Sequence, residues 1–302
     1  MNEAELLRRI ERMAPGPGRG VVMGIGDDCA IFRPSGSKED LLFTTDMTIE
    51  GVHFSRRTHA PEDVGWKTLA RGLSDIAAMG GLPRFCLLSL AVAPWADERW
   101  IDRFYRGFLR LAQKAGVTLA GGDLAHAERV ACDIVVCGAA PRGKALRRAG
   151  ARAGDAVYVS GRLGGSALGL ETRRGAAWQK HLRPEPRLAL GRFLREKLRA
   201  TACMDLSDGL SIDLQRLCVA SGVGADIAGP LPLFRGASVE QALDGGEDYE
   251  LLFTVRPRAV VPRTFERVPL TRIGTIRKGR PGCVEYEGQP LPAAGYDHFA
   301  RR

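Results

Sequence analysis

The sequence predicts a mixed α/β (α+β) chain of two domains, 1–142 and 143–302, on three observations. Apolar, β-prone segments alternate with helix-period segments in both halves, the pattern of layered α/β architectures. The 302 residues exceed the usual domain length of about 100–200 residues, which favours two domains over one large one. Residues 143–155, GKALRRAGARAGD, form a basic, Gly-rich break between the halves.

Taken in order, Glu3 to Met13 has amphipathic helical spacing, followed by a loop over Pro15 to Gly20 and a strand at Val21 to Met23. Leu41 to Thr45 is β-prone and ends at Asp46. A helix opens after Pro61, with Val64, Leu69, Leu73 and Ile76 at near-helical spacing, and stops at Gly80-Gly81. Phe85 to Ala93 reads as a buried strand, Glu98 to Ala115 as a second helix, Val117 to Ala120 as a short strand and Val130 to Ala140 as a longer one. In the second half a strand at Ala156 to Ser160 leads through the turn Gly161 to Gly165 into a helix opened by Ser166. Helices follow near Arg187 to Arg199 and Gly209 to Ser221, with strands at Tyr249 to Val255, Arg272 to Ile276 and Cys283 to Tyr286. No repeat of fixed period is visible.

Composition narrows the function classes. The longest apolar runs fall far short of the roughly 18–20 residues that span a bilayer. Charged Glu3, Glu5, Arg8 and Arg9 rule against a signal peptide at the start. The expectation is a cytoplasmic protein with no membrane partner. The seven cysteines contain no C-x-x-C pair and several lie in apolar runs, so they read as buried, reduced thiols. The net charge of +9 is spread over short arginine groups without a basic tail or nucleic-acid signature, so general surface basicity outweighs nucleic-acid binding.

The chemistry lies in short Gly/Asp motifs: Gly26-Asp27-Asp28, Thr44-Thr45-Asp46, Ser74-Asp75, Gly121-Gly122-Asp123, Asp205-Leu206-Ser207-Asp208-Gly209 and Gly245-Gly246-Glu247-Asp248. Each alone is what an ordinary turn or helix cap requires. Asp46, Asp123 and Asp205, however, each follow an apolar segment and are expected at the ends of buried strands, where α/β ligand sites gather. Carboxylates meeting there repel one another unless a cation intervenes. Magnesium fits best, a hard ion that takes carboxylate, water and phosphate oxygens; histidines and cysteines are not clustered as zinc requires. Glycine lets backbone N–H groups approach phosphate, with the Gly121-Gly122-Asp123 turn the first candidate and Gly161, Gly164 and Gly165 an even choice between anion site and tight packing. Walker A, Rossmann and protein-kinase signatures are all missing.

Set in order, Gly24-Ile25-Gly26-Asp27-Asp28-Cys29-Ala30, Thr44-Thr45-Asp46 with Glu50-Gly51-Val52-His53-Phe54, and Leu73 to Gly80 resemble thiamine-monophosphate kinases. So do Gly121-Gly122-Asp123, His181-Leu182-Arg183-Pro184, Met204 to Leu210, Gly245 to Glu250 and Gly295-Tyr296-Asp297-His298-Phe299. The resemblance implies the two-domain aminoimidazole-ribonucleotide synthetase-like fold, with N-terminal strands joining a partner subunit's in a homodimer and ATP between the domains. It implies ATP-dependent phosphorylation of thiamine monophosphate to thiamine diphosphate. It also implies roles: Asp28, Thr44, Thr45, Asp46, Asp75, Asp123, Asp205 and Asp208 as the shell of several magnesium ions. Gly122, Asp123, Arg148 and Ser207 are implied as nucleotide contacts, and His53, Glu247 and Tyr296 as substrate contacts. Asp27 matches as a neighbour of this set. Two positions depart from the pattern, Leu124 where threonine is frequent and Cys29 where alanine is common; neither touches a carboxylate.

The expected mechanism is direct in-line transfer. The attacking phosphate oxygen is already ionised, so no general base is required, and no Ser/His/Asp or Cys/His constellation is recognisable. The alternatives are another enzyme of the same superfamily, or a basic nucleotide or RNA binder without catalysis. Retained aspartates and the His53 and Tyr296 motifs weigh against both.

Overall fold

The computed structural model describes residues 3–14, 16, 18–296 and 298–299; Pro15 and Pro17 of the expected loop and Asp297 of the terminal motif lie outside the described residues. The first half runs α1 (Glu3–Met13), β1 (Val21–Met23), β2 (Ala30–Phe32), β3 (Glu39–Ile49), α2 (Pro61–Ala78), β4 (Leu82–Val92), α3 (Glu98–Ala115), β5 (Thr118–His126) and β6 (Ala131–Pro141). Its strands form one sheet in the order β1-β2-β3-β6-β4-β5, antiparallel except between β4 and β5. α3 matches the sequence reading at both ends because its signals are local: Asp97 caps the Trp100 N–H, and Gly116 stops the helix in the left-handed conformation (φ 65°).

The second half runs β7 (Ala156–Ser160), α4 (Gly165–Thr172), α5 (Gly175–Leu182) and α6 (Leu188–Phe193), which continues as a π-turn over Leu194–Leu198. There follow β8 (Ala202–Asp205), α7 (Leu210–Ser221), β9 (Gly224–Ile227), α8 (Val239–Asp244), β10 (Leu251–Val255), β11 (Thr264–Phe265), β12 (Val268–Arg277), β13 (Val284–Tyr286) and β14 (Gln289–Pro290). The second sheet has the order β14-β13-β9-β12-β7-β10-β8, with β11 paired to β12. Both sheets are mixed and mostly antiparallel, within the mixed α/β class expected.

α2 positions the site. It packs on β3 and β6 of the first sheet and on β8 and α6 of the second half, so it is buried on almost every side. Its fit against α3 is backbone to backbone: a Cβ on Gly65 would lie 2.1 Å from Phe104 O, and one on Gly107 1.9 Å from Glu62 O. Ala77 and Ala78 at its end join Leu190, Leu194, Leu251 and Phe253 in a core cluster shared by the two halves. Among the described residues no helix is long and apolar enough to cross a membrane.

Three expectations change. β3 and β5 run past their aspartates, so Asp46 and Asp123 lie inside strands and only Asp205 ends one. Backbone pairing of β3 with β6 continues to Ile49 whatever the side-chain polarity. Gly121-Gly122-Asp123 is therefore strand rather than turn. It follows a bulge at Ala120, and a Cβ on Gly122 would lie 1.8 Å from Leu88 O, so glycine there serves a close strand approach. β4, expected to be buried throughout, instead alternates, with Cys86, Leu88 and Leu90 buried and Leu87 and Ser89 exposed. The short β2, β9, α5 and α8 carry too few residues for a periodic signal and have no counterpart in the sequence reading.

Candidate active site

A cleft of about 340 Å³ opens between the halves, with Asp46, Asp75, Asp205, Asp208 and Glu247 in its walls. Asp46 comes from β3, Asp75 from α2, Asp205 from the end of β8, and Asp208 with Ser207 from the turn into α7. His53, Tyr296 and His298 also line it.

Asp75 and Asp205 in this wall, and Asp28 behind it, each offer an oxygen within 4.8 Å of the other two. Burial raises all three carboxyls above the ordinary range; Asp205 adds to the rise at Asp75, and Asp28 to that at Asp205. Hydroxyls supply part of the compensation, Thr44 Oγ1 donating to Asp75 Oδ2 at 2.5 Å and Ser74 Oγ to Asp205 Oδ2 at 2.6 Å. Arg148 donates to Asp28 Oδ1 through Nε (3.0 Å) and Nη2. Asp28 Oδ2 is buried with no hydrogen-bond partner among the described residues. Clustered, buried oxygens with an orphaned acceptor are the donor set a hard cation takes.

The neighbouring carboxylates have arginine partners. Arg71 donates to Asp46 Oδ1 at 3.0 and 2.5 Å, and Arg216 bridges Asp208 (2.5 Å) and Asp213 (2.9 Å). Asp213 is buried and accepts the Asp208 and Gly209 N–H groups at 3.0 and 3.2 Å, which shapes the turn presenting Asp208. Burial, with Asp208 beside it, pushes Asp213 up to about 7. Asp27 accepts the Arg148 N–H at 3.2 Å, tying the Gly-Asp-Asp turn to the segment after β6. Burial and Asp28 push Asp27 up to about 7.

The other end of the cleft sets a neutral histidine and aromatic rings beside an ionised carboxylate. His53 Nδ1 accepts the Ile49 N–H at 3.0 Å, so the ring proton sits on Nε2, which is buried without a partner among the described residues. Burial, then Arg71, pulls His53 down to about 3. The His298 ring lies 5.2 Å from His53 and 4.8 Å from Tyr296, and the Tyr296 N–H donates to Asp208 O at 2.9 Å. Glu247 Oε2 accepts from Lys67 Nζ at 2.7 Å. Burial raises the Glu247 carboxyl, but Lys67, His181 and Arg71 outweigh it and hold it at about 2.

The structure thus gathers Asp46, His53, Asp75, Asp205, Ser207, Asp208, Glu247 and Tyr296 around one cleft, with Asp28, Thr44 and Arg148 immediately behind. Thr45 points to the opposite face of the sheet and donates to Asp133 Oδ1 at 2.6 Å. Gly122 and Asp123 lie exposed on the edge strand β5, outside the cleft lining. The Gly161–Gly165 loop, an open choice from sequence, has an internal occupant: Asp248 accepts the Gly164 N–H at 2.5 Å and the Ser166 N–H at 3.1 Å. Lys67, Arg71, Asp213 and Arg216 have no counterpart in the sequence reading, and Ser74 appears there only as the neighbour of Asp75 in its motif. Four polar positions, Lys67, Arg71, Ser74 and Asp75, at i, i+4, i+7 and i+8 of a helix that past its acidic first turn is otherwise apolar but for Thr68, were the available signal.

Residues 26–143 match the AIR synthase related protein N-terminal domain, and residues 152–286 the corresponding C-terminal domain. The thiamine-monophosphate kinase of Escherichia coli (strain K12) is 38% identical over 307 residues, covering 93% of this chain and 93% of that one. That of Aquifex aeolicus (strain VF5) is 36% identical over 296 residues, covering 91% and 92%. A solved structure of AaThiL complexed with AMPPCP and TMP aligns with a TM-score of 0.86 at 34% identity, over 99% of this chain and 97% of that one. On this identity along nearly its whole length, the chain belongs to the thiamine-monophosphate kinase family.

Proposed function

We propose that this chain transfers the terminal phosphoryl group of ATP directly to the phosphate of thiamine monophosphate, giving ADP and thiamine diphosphate, the last step in making that cofactor. One observation carries the reading: a single cleft joins a buried carboxylate cluster, suited to a polyphosphate's cations, to a neutral His53, an ionised Glu247 and Tyr296. Family membership and the related complex with an ATP analogue support it.

Asp28, Asp75 and Asp205, with Asp46, Asp208 and Thr44 beside them, are the groups that would hold magnesium. When bound, magnesium supplies the charge neutralisation needed to bring two polyanions together. Ser207 and Arg148 are assigned to the nucleotide from their places at the cluster. Gly122, Asp123 and Thr45 are assigned on the motif match alone. His53 Nε2–H is a neutral donor suited to the substrate phosphate. Tyr296 offers a ring face to the cationic thiazolium, and Glu247 accepts from the aminopyrimidine. The attacking oxygen needs no base, so the transfer is in line and leaves no phosphoenzyme.

The same reading makes the protein a cytoplasmic homodimer with domains 1–142 and 143–302. Seven free cysteines suit a reducing compartment. The exposed edge strand β5, with Leu124 70% exposed, suits a second copy.

The test is formation of ADP and thiamine diphosphate from ATP, magnesium and thiamine monophosphate, with unphosphorylated thiamine as control. Turnover with the monophosphate and none with thiamine is expected. No turnover, or label from γ-labelled ATP retained on the protein, would overturn the reading or its direct-transfer step respectively.

A further inference from the structure

Glu247 is gripped from inside the protein. It sits in the left-handed region (φ 65°) after two glycines, and its two oxygens have different surroundings. Oε2 receives Lys67 Nζ at 2.7 Å. Oε1 lies 3.7 Å from Arg71 Nη1 and is buried with no hydrogen-bond partner among the described residues.

Lys67 is 1% exposed and does not line the cleft, so it acts on a bound substrate through its neighbours, first of them Glu247. Its other neighbour is His181, whose Nε2 lies 3.4 Å from Nζ. An ammonium only donates, so Nε2 is the accepting nitrogen and the ring proton is on Nδ1, 2.9 Å from Ser166 Oγ and 3.4 Å from Glu247 Oε2. Burial, then Lys67, pulls His181 down to about 3, so the ring stays neutral. α2, α4 and α5 thus each place one member of a hydrogen-bonded chain, Lys67, Ser166 and His181, that converges on Glu247 Oε2; Ser166 and His181 also line the cleft, and Lys67 stands behind them. A buried ion pair is weak evidence of a stabilising role, since apolar replacements of such pairs are often neutral or better, so a role in placing Glu247 explains it more fully.

Resting on the reading that the cleft takes thiamine monophosphate, we propose that Lys67 is a positioning residue. Backed by His181 and Ser166, it fixes Glu247 Oε2 from behind and so sets the angle at which the carboxylate faces an N–H donor of the substrate's aminopyrimidine. The charged and titratable groups facing Glu247 are Lys67 and Arg71 from α2, His181 from α5, His53 and His59 from the segment after β3, and Tyr249 from its own turn. Lys67 and Arg71 are its two cationic neighbours among these. Arg71 is shared with Asp46, which leaves Lys67 as the cation dedicated to Glu247.

The experiment compares wild type, Lys67→Met, Glu247→Gln and the double variant, reading kcat and KM for each substrate. Lys67→Met should raise KM for thiamine monophosphate at least about tenfold while kcat and KM for ATP stay within about threefold. The rise should steepen towards acid, because the carboxyl has lost its main cation. Lys67→Met should add nothing once Glu247→Gln is present, and that double variant buries no unpaired charge should the single one fail to fold. Unchanged substrate KM, a matching loss in the ATP terms, or a further KM rise in the double variant would overturn the proposal. A wild type that makes no thiamine diphosphate would overturn the functional reading and this proposal with it.

Discussion

Ser74, on the helix packed against the first sheet, donates its hydroxyl to Asp205 at the end of a strand of the second, at 2.6 Å. That bond sets a carboxylate of one half by a side chain from the other. Ser74→Ala leaves Asp205 buried with one donor fewer, a loss of about 1–3 kcal/mol for a buried acceptor left short of its partner. The expected outcome is a weaker apparent magnesium affinity in a metal titration of initial rates. An unchanged magnesium dependence would remove Ser74 from the site.

Asp75 shares its surroundings with Asp28 and Asp205, and Asp46 stands beside it in the cleft wall. Asp75→Asn or Asp46→Asn should lose turnover that excess magnesium restores only in part. The thermal readout is separate: magnesium at about 100 times its Kd should stabilise wild type by about 2.7 kcal/mol, and Asp75→Asn by clearly less. Full activity in either variant, or an equal magnesium shift in both proteins, contradicts the assignment.

His59 is buried, and burial, then Lys67, pulls it down from 6.5 to about 4. The unfolded chain therefore takes up a proton that the folded chain refuses. The stability His59 contributes is complete above pH 6.5 and is lost as the pH falls from there to about 4. His59→Gln should flatten the fall in Tm across that window, read by thermal melts at a series of pH values. Parallel curves for the two proteins would show that the ring does not titrate this way.

Glu250 is only 1% exposed and accepts two bonds from Arg187 (2.8 and 2.6 Å), one from Lys180 (3.0 Å) and one from Ser160 (2.6 Å). Burial works against its charge, but Lys180 and Arg187 hold it at about 2, below the ordinary 4.5. Glu250→Gln strands these cations and should cost about 3–5 kcal/mol in urea unfolding near neutral pH. A depressed carboxyl contributes above its unfolded pKa, so the two unfolding curves should converge as the pH falls below 4.5 towards 2. A variant as stable as wild type at neutral pH would show the network to be slack.

What the sequence disclosed depended on how locally each feature is encoded. Asp97 and Gly116 mark the two ends of α3 within a turn of where they act, and α3 falls where expected. Thr44-Thr45-Asp46 looked like the end of a strand because polarity rises there. The polar residues instead alternate between a cleft and an open sheet face, and a strand that lines a site has the same pattern as one that stops. Lys67 and Arg71 drew no notice beside the apolar spacing of Val64, Leu69, Leu73 and Ile76, and only the second half packing on the helix makes them part of the interior. The partner of the Gly161–Gly165 loop, Asp248, lies more than eighty residues away, a pairing no local window contains. The aspartate motifs were legible as an ordered set; of the arginines that answer them, only Arg148 was named, and not as a partner of Asp28.

α2 is held on two sides at main-chain distance, by Gly65 against Phe104 and by Gly191 against Ala77. Contacts this close leave no slack for a swing of one half about the other, so the helix acts as a keystone rather than a hinge. Cutting the chain between residues 142 and 143 would give neither fragment a whole cleft, since the floor built from Arg71 and Asp75 leaves with the first and the rim of Asp205, Asp208 and Glu247 with the second. Glu3 of α1, with Tyr296 and His298 near the far end of the chain, adds cleft lining from outside that keystone, so the two ends of the sequence meet at one opening.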